Sequence, residues 1–315
     1  MADQTQSRTS KNRVMQGIFW AAIASTMWGI SGTVLQVISQ GEKIPADWYL
    51  SVRMLGAGIV VLLISLCLYG KKTFNVFRSG RSIAWLFAYA IFGLSANLLT
   101  FYYAIQYGNS ASATILQYLS PLFIVLGALV FKHQKPLRSD MIAFVVALVG
   151  VFLAITKGNI FTLSIPLPAL LFGIASGITC AFYVVLPRPL VEEGNNPSMA
   201  IMGWGSLIGG IGFNLYHPFW VATPPITHTL IISMSTVIII GTILPFSLLL
   251  YASQFAPSDV VSIVDAFQPV VTFILSIIFL GLKMSWVEVL GSILVILAIY
   301  LLQRGRRDVQ EQMLE

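Results

Sequence analysis

The sequence predicts an all-α integral membrane protein with ten transmembrane helices in two inverted five-helix repeats. Three observations carry this prediction. Long apolar segments recur along all 315 residues, of which 57% are hydrophobic and only 10% charged. Lysine and arginine gather on alternate connections between those segments. A stretch in the first half aligns without a gap to one in the second.

A helix that spans a bilayer needs about 20 predominantly apolar residues. Such segments lie at 17–38, 48–69, 83–107, 110–132, 138–155, 165–187, 198–219, 229–255, 259–281 and 286–303. A soluble domain is roughly one quarter charged, so this chain lacks the polar surface to cover a globule in water. The first run exceeds a signal-peptide core and nine more spans follow, so it reads as a span. Residues 1–16 and 305–315 read as mobile polar tails facing the cytoplasm. The connections are too short to fold as domains.

The charges set the orientation. One side carries Arg8, Lys11, Arg13, Lys71, Lys72, Arg78, Arg81, Lys132, Lys135, Arg138, Arg188, Arg304, Arg306 and Arg307; the other carries Lys43, Lys157 and Lys283. A bias of fourteen to three puts both termini in the cytoplasm, in what reads as a plasma membrane. The net charge of +6 therefore reports topology, and nucleic acid is not an expected partner. Cys67 and Cys180 both lie in apolar runs, which excludes a disulfide framework or a CxxC metal site. There is no HExxH, GxSxG or Walker A motif, and GWGSLI at 203–208 has Ile208 where a dinucleotide loop needs glycine. No metal or cofactor is expected.

The internal match sets 102–131 against 250–279, an offset of 148 residues, with Tyr103/Tyr251, Gln106/Gln254, Ser110/Ser258 and Pro121/Pro269 among its identities. A fainter match sets IAS at 23–25 against IAS at 174–176, an offset of 151. Ten spans in two repeats give five each, and an odd number makes the second copy enter from the opposite side. The halves run over 17–155 and 165–304. Inverted repeats recur in secondary transporters, whose two halves exchange conformations around a central site.

The carrying residues, YYAIQYGNSASATILQYLSPLFIVLGALVF and the second copy ending PVVTFILSIIFLGLKMSWVEVLGSILVILAIYLL, resemble the EamA-type members of the drug/metabolite transporter superfamily. The resemblance spans about 17–303. It implies a carrier of small metabolites, often an exporter, with a cavity between its halves. Many relatives carry Glu-Pro in the fourth and ninth spans, where this chain has Ser120-Pro121 and Gln268-Pro269. Many also have an acidic residue after the "LG" closing the ninth span, where this chain has Leu282 and Lys283.

Depth along each helix selects candidate site residues. At about 1.5 Å per residue, Pro121 and Pro269 lie about 16 Å into their spans, near the midplane. Each proline displaces the carbonyl four residues earlier, that of Gln117 or Asp265. Freed acceptors are not tolerated against lipid, so these hinge positions face protein or a watery cavity. The plain alternative is a pair of packing kinks. Asp265 lies about 10 Å inside the cytoplasmic end and is too short to snorkel far. It reads as a proton-exchanging carboxyl, a counter-ion for a cationic substrate, or a bridge between helices. Arg53, about 8 Å from the outer end of the second span, reads either as a snorkelling anchor or as the counter-ion of a substrate carboxylate or phosphate. Trp28, beside Gly29 and Gly32, offers an aromatic platform or ordinary packing. Asn97, Gln117, Tyr183 and Gln268 supply further substrate-binding capacity, with Tyr103 and Phe267 weaker candidates; the polar ones equally suit helix bridging. The row Gly205, Gly209 and Gly212 favours close packing.

The expected function is secondary transport of a small organic metabolite by alternating access, with proton coupling resting on Asp265. An uncoupled facilitator or channel is the first rival. An intramembrane enzyme lacks paired catalytic groups in the sequence.

Overall fold

The computed structural model describes residues 2–134, 136–159, 163–192, 196–221, 223–256 and 258–312. Among them every regular element is helical, and ten rods follow the ten apolar segments. The first is Ala2–Gln36 with a π-helical turn at Val37–Gly41. The second is Ala46–Tyr69, leading into a 3₁₀ segment, Gly70–Arg78. The third joins Gly80–Ala88 and Ala96–Tyr107 through π-helical Tyr89–Ser95. The fourth is split into Ser110–Gln117 and Ser120–Lys132, and the fifth is Arg138–Thr156. The sixth, Leu167–Val185, precedes a short helix, Arg188–Glu192, and the seventh is Ser198–Tyr216. The eighth joins His228–Ile238 and Leu244–Ala252 through π-helical Ile239–Ile243. The ninth is split into Ser258–Asp265 and Gln268–Leu280, and the tenth is Trp286–Gln312.

Eight of these rods are long and apolar enough to cross a membrane. The other two are the glycine-rich seventh and the split ninth. Residues 2–16 and 305–312, read from the sequence as tails, are helical and continue the first and last rods. The physical reason is that neither proline nor glycine interrupts residues 1–16, and no proline follows Gly305.

Leu63, Leu68, Phe92, Val145, Ile278 and Ile293 are each more than half exposed. In water such a belt would drive aggregation; in a bilayer it is the lipid-facing surface. This is an all-α, multi-pass membrane protein.

The second rod packs on the seventh, the fifth on the tenth, the third on the sixth, and the first on the eighth and ninth. Small residues permit the closest approaches. A Cβ added at Gly58 would lie 2.7 Å from Leu207 N, and one at Gly291 would lie 2.5 Å from Gly150 O. The expected glycine row serves only partly. Gly205 meets Tyr89 and Gly209 meets Met54 and Ser95, but nothing lies within 4 Å of a Cβ at Gly212. Gly203 and Gly210, on another face, make the contact with Leu62 and Leu55 of the second rod.

Backbone irregularities recur at the offset of the sequence match. The π-helical segments end at Ser95 and Ile243. The breaks of the split rods follow Gln117 and Asp265, and their second halves end on the left-handed residues His133 and Gly281. Each pair is 148 residues apart.

Candidate functional site

The two helix breaks position the candidate site. Pro121 and Pro269 each stand in the first turn of the helix after a break, where a missing amide donor is harmless. The irregular residues are Tyr118–Leu119 and Ala266–Phe267. The carbonyl expected to be freed by Pro269 belongs to Asp265, and the Tyr118 hydroxyl donates to it at 2.8 Å. The same hydroxyl lies 3.4 Å from Asp265 Oδ2 and 3.1 Å from Gln268 Oε1. Ser25 Oγ, on the first rod, stands 3.3 Å from both Asp265 Oδ1 and Val264 O. Asp265 and Gln268 are thus brought together with two hydroxyls from other rods.

The first break carries a neutral counterpart. Gln117 Nε2 donates at 3.0 Å to Asn97 Oδ1 on the third rod and at 3.0 Å to Ser176 Oγ on the sixth. Ser176 and Ser25 are the serines of the faint IAS match, and Gln117 and Asp265 are equivalent in the stronger one. The two serines therefore meet corresponding residues of the two broken rods.

Arg53 does not snorkel. It is 8% exposed, and its guanidinium is held inside the protein by three groups. Nη1 donates to Tyr49 Oη at 2.8 Å, Nε and Nη2 donate to Thr242 Oγ1 at 3.3 and 3.2 Å, and Nη2 lies 3.5 Å from Gly241 O. The reason is rotational: this face of the second rod points at the π-helical turn of the eighth, whose wide backbone presents Gly241 O and Thr242.

Trp28 is half-buried one turn beyond Ser25. The neighbouring Gly29 serves packing, since a Cβ there would fall 2.7 Å from Val271 Cβ and 3.2 Å from Gln268 O. At Gly32 the nearest atoms, of Thr272, are 3.9 Å away. Tyr183 packs against Tyr89 with centroids 5.7 Å apart and ring planes tilted by 31°. Tyr103 packs with Tyr107 and Phe172, away from the breaks, and Phe267 is 46% exposed.

Sequence reasoning missed Tyr118, whose equivalent is Ala266 and which therefore carries no repeat signal. It also missed a polar ladder at the far end of the first rod. Gln36 Oε1 accepts from Ser110 N at 2.8 Å and from Ser110 Oγ at 2.9 Å, and Ser110 Oγ pairs with Ser276 Oγ at 2.9 Å. Gln40 Nε2 donates to Ile105 O and Gly108 O, each at 2.8 Å. These residues sit near span ends, where polar side chains attract little notice.

With this geometry in hand, comparison with known proteins decides the family. The EamA-like transporter family matches twice, at residues 15–156 and 167–304. The chain belongs to that family. This EamA protein is 29% identical over 295 residues to the uncharacterized inner membrane transporter YicL of Salmonella typhimurium, covering 93% of this chain and 96% of YicL. It is 23% identical over 215 residues to the protein RarD of the same organism, covering 68% of this chain and 67% of RarD. One crystal structure superposes with a TM-score of 0.62 at 15% identity, over 94% of this chain and 99% of its own, which establishes the shared fold. The EamA protein is a multi-pass membrane transporter, and its relatives point to transport and not to enzymatic chemistry.

Proposed function

We propose that this EamA protein is a secondary transporter that moves a small organic metabolite by alternating access. In this reading its halves, 17–155 and 165–304, are inverted repeats in a plasma membrane with cytoplasmic termini. The metabolite binds between the two broken rods, contacted by Gln117, Asn97 and Gln268, with Trp28 and Tyr183 as aromatic walls. Asp265 couples movement to a proton, and the direction is export. The observation that carries this reading is the pair of equivalent contacts, Ser176 with Gln117 and Ser25 with Asp265, at matched helix breaks. The paired family match and the rod pairings support the same division. Breaks at midplane free backbone groups for a ligand, as discontinuous helices do in transporters.

The same contacts favour one rival, in which Asp265 only bridges helices. Asp265→Asn separates the two, because an amide keeps the acceptor for Ser25 while losing the exchangeable charge. We expect normal expression and folding, with concentrative uptake into proteoliposomes reduced to the level of protein-free vesicles. Wild-type concentrative uptake by Asp265→Asn would sink the coupling role. Flux that never exceeds equilibration in the wild type would favour the uncoupled facilitator.

A further inference from the structure

Arg53 poses a problem that the transport reading leaves unsolved. It is a buried cation within a membrane span, and the three groups that hold it, Tyr49 Oη, Thr242 Oγ1 and Gly241 O, are all neutral. Among the described residues no carboxylate lies within 4.0 Å of it. The acidic groups near that end are engaged elsewhere: Glu42 accepts from Thr227 at 3.3 Å, and Asp47 lies 3.7 Å from His217. A charge at such depth is costly unless something neutralises it. Hydroxyls and a carbonyl orient the guanidinium without cancelling its charge.

The fork is also incompletely used. A guanidinium has five N–H donors, and Nη1 makes only its bond to Tyr49. Its second hydrogen is left for another acceptor. Gly241 and Thr242, which hold it, belong to the eighth rod, and Gly241 packs against Ser31 of the first, so the guanidinium lies on the interior side of its own rod. Carboxylate and phosphate are the groups whose paired oxygens suit such a fork.

We propose that Arg53 is an anion subsite of the transport pathway, and that the cargo carries a carboxylate or phosphate at one end. The proposal rests on the transport reading and names the chemical class of its substrate. Tyr49 and Thr242 are positioning residues: they fix the guanidinium plane but need not touch the cargo.

The test uses a matched series with one body and four head groups: benzoate, phenyl phosphate, benzylammonium and benzyl alcohol. Thermal stabilisation of the purified full-length protein reads binding, because a ligand of the native state raises its apparent stability. Benzoate or phenyl phosphate should stabilise the wild type, and whichever shifts more identifies the head group; benzylammonium and benzyl alcohol should not. Arg53→Gln should weaken the anion at least about tenfold, and Arg53→Lys, which keeps the charge without the fork, should weaken it less. Thr242→Val keeps the arginine and disturbs only its orientation, so it tests the site even where Arg53→Gln folds poorly; a weaker anion response is expected. Stabilisation by benzylammonium or benzyl alcohol equal to that by the anions would overturn the proposal. So would an unchanged anion response in Arg53→Gln, or none from either anion in the wild type. Counterflow in proteoliposomes separates this from failure of the transport reading. Anion binding at Arg53 without solute movement would refute transport and leave the subsite, whereas concentrative flux of a cation without anion binding would do the reverse.

Discussion

The breaks in the fourth and ninth rods share one backbone design and differ in chemistry. Each interrupts a helix two residues before a Ser-Pro or Gln-Pro step, and each is met by a serine from the other half of the chain, Ser176 of the sixth rod at the first break and Ser25 of the first rod at the second. At the first break the group presented is an amide, tied to Asn97 and Ser176. At the second it is a carboxyl, met by Ser25 and by Tyr118 from the other broken rod. Both breaks present a polar side chain to neighbouring rods, and the residue at one position makes only one of them ionisable.

Substitutions that erase or exaggerate this difference test it. The largest effect is expected from Gly29→Val, which forces side-chain atoms against Val271 and Gln268 beside the second break. Overpacking of this kind costs about 1–3 kcal/mol, and thermal melts in detergent should fall while the equivalent Cys180→Val is milder. Gln117→Glu comes next. It gives the first break its own carboxyl and removes the donor serving Asn97 and Ser176, at about 1–3 kcal/mol for groups left unsatisfied. Its uptake should acquire a second pH-dependent step; a pH profile identical to wild type would break the contrast between the two sites. Tyr118→Phe leaves Asp265 O without its hydroxyl donor, at about 1 kcal/mol, and should slow uptake without abolishing it. The smallest effects belong to Ser25→Ala and Ser176→Ala, each about 0.5–1.5 kcal/mol in stability. Ser25→Ala should alter the pH profile of uptake and Ser176→Ala should not.

Much of this arrangement was legible in the residues. Apolar runs of sufficient length located the ten rods, because a bilayer leaves the backbone little choice but helix. The 148-residue match located both breaks, and even the three-residue IAS match fell on the serines that meet them. What could not be read was rotation about each rod. Depth along the second span suited a snorkelling Arg53 as well as a buried one, and only the facing π-helical turn distinguishes them. Gly203 and Gly210 meet the second rod's Leu62 and Leu55, while in the more regular row Gly209 meets Met54 and Gly212 meets nothing, for the same reason. Tyr118 was invisible because its repeat partner is Ala266, so comparison of the halves gave it no weight.

The ladder of Gln36, Ser110 and Ser276 ties together the first, fourth and ninth rods, and residue chemistry denies it a counterpart at the equivalent positions. The position equivalent to Gln36 is Pro187, and that equivalent to Ser276 is Ala128, neither of which has a side-chain hydrogen-bonding group. If the halves alternate as proposed, the two end states are unequal in energy before any cargo arrives. In that cycle three hydrogen bonds at about 1 kcal/mol each would bias the empty carrier by roughly a hundredfold toward the state that keeps the ladder. Gln36→Ala should make a cysteine placed at Ser276 react faster with a water-soluble maleimide. Under the proposed cycle such a carrier would wait, when unloaded, with its entrance turned to a single compartment, and the asymmetry of one polar ladder would become the direction in which it idles.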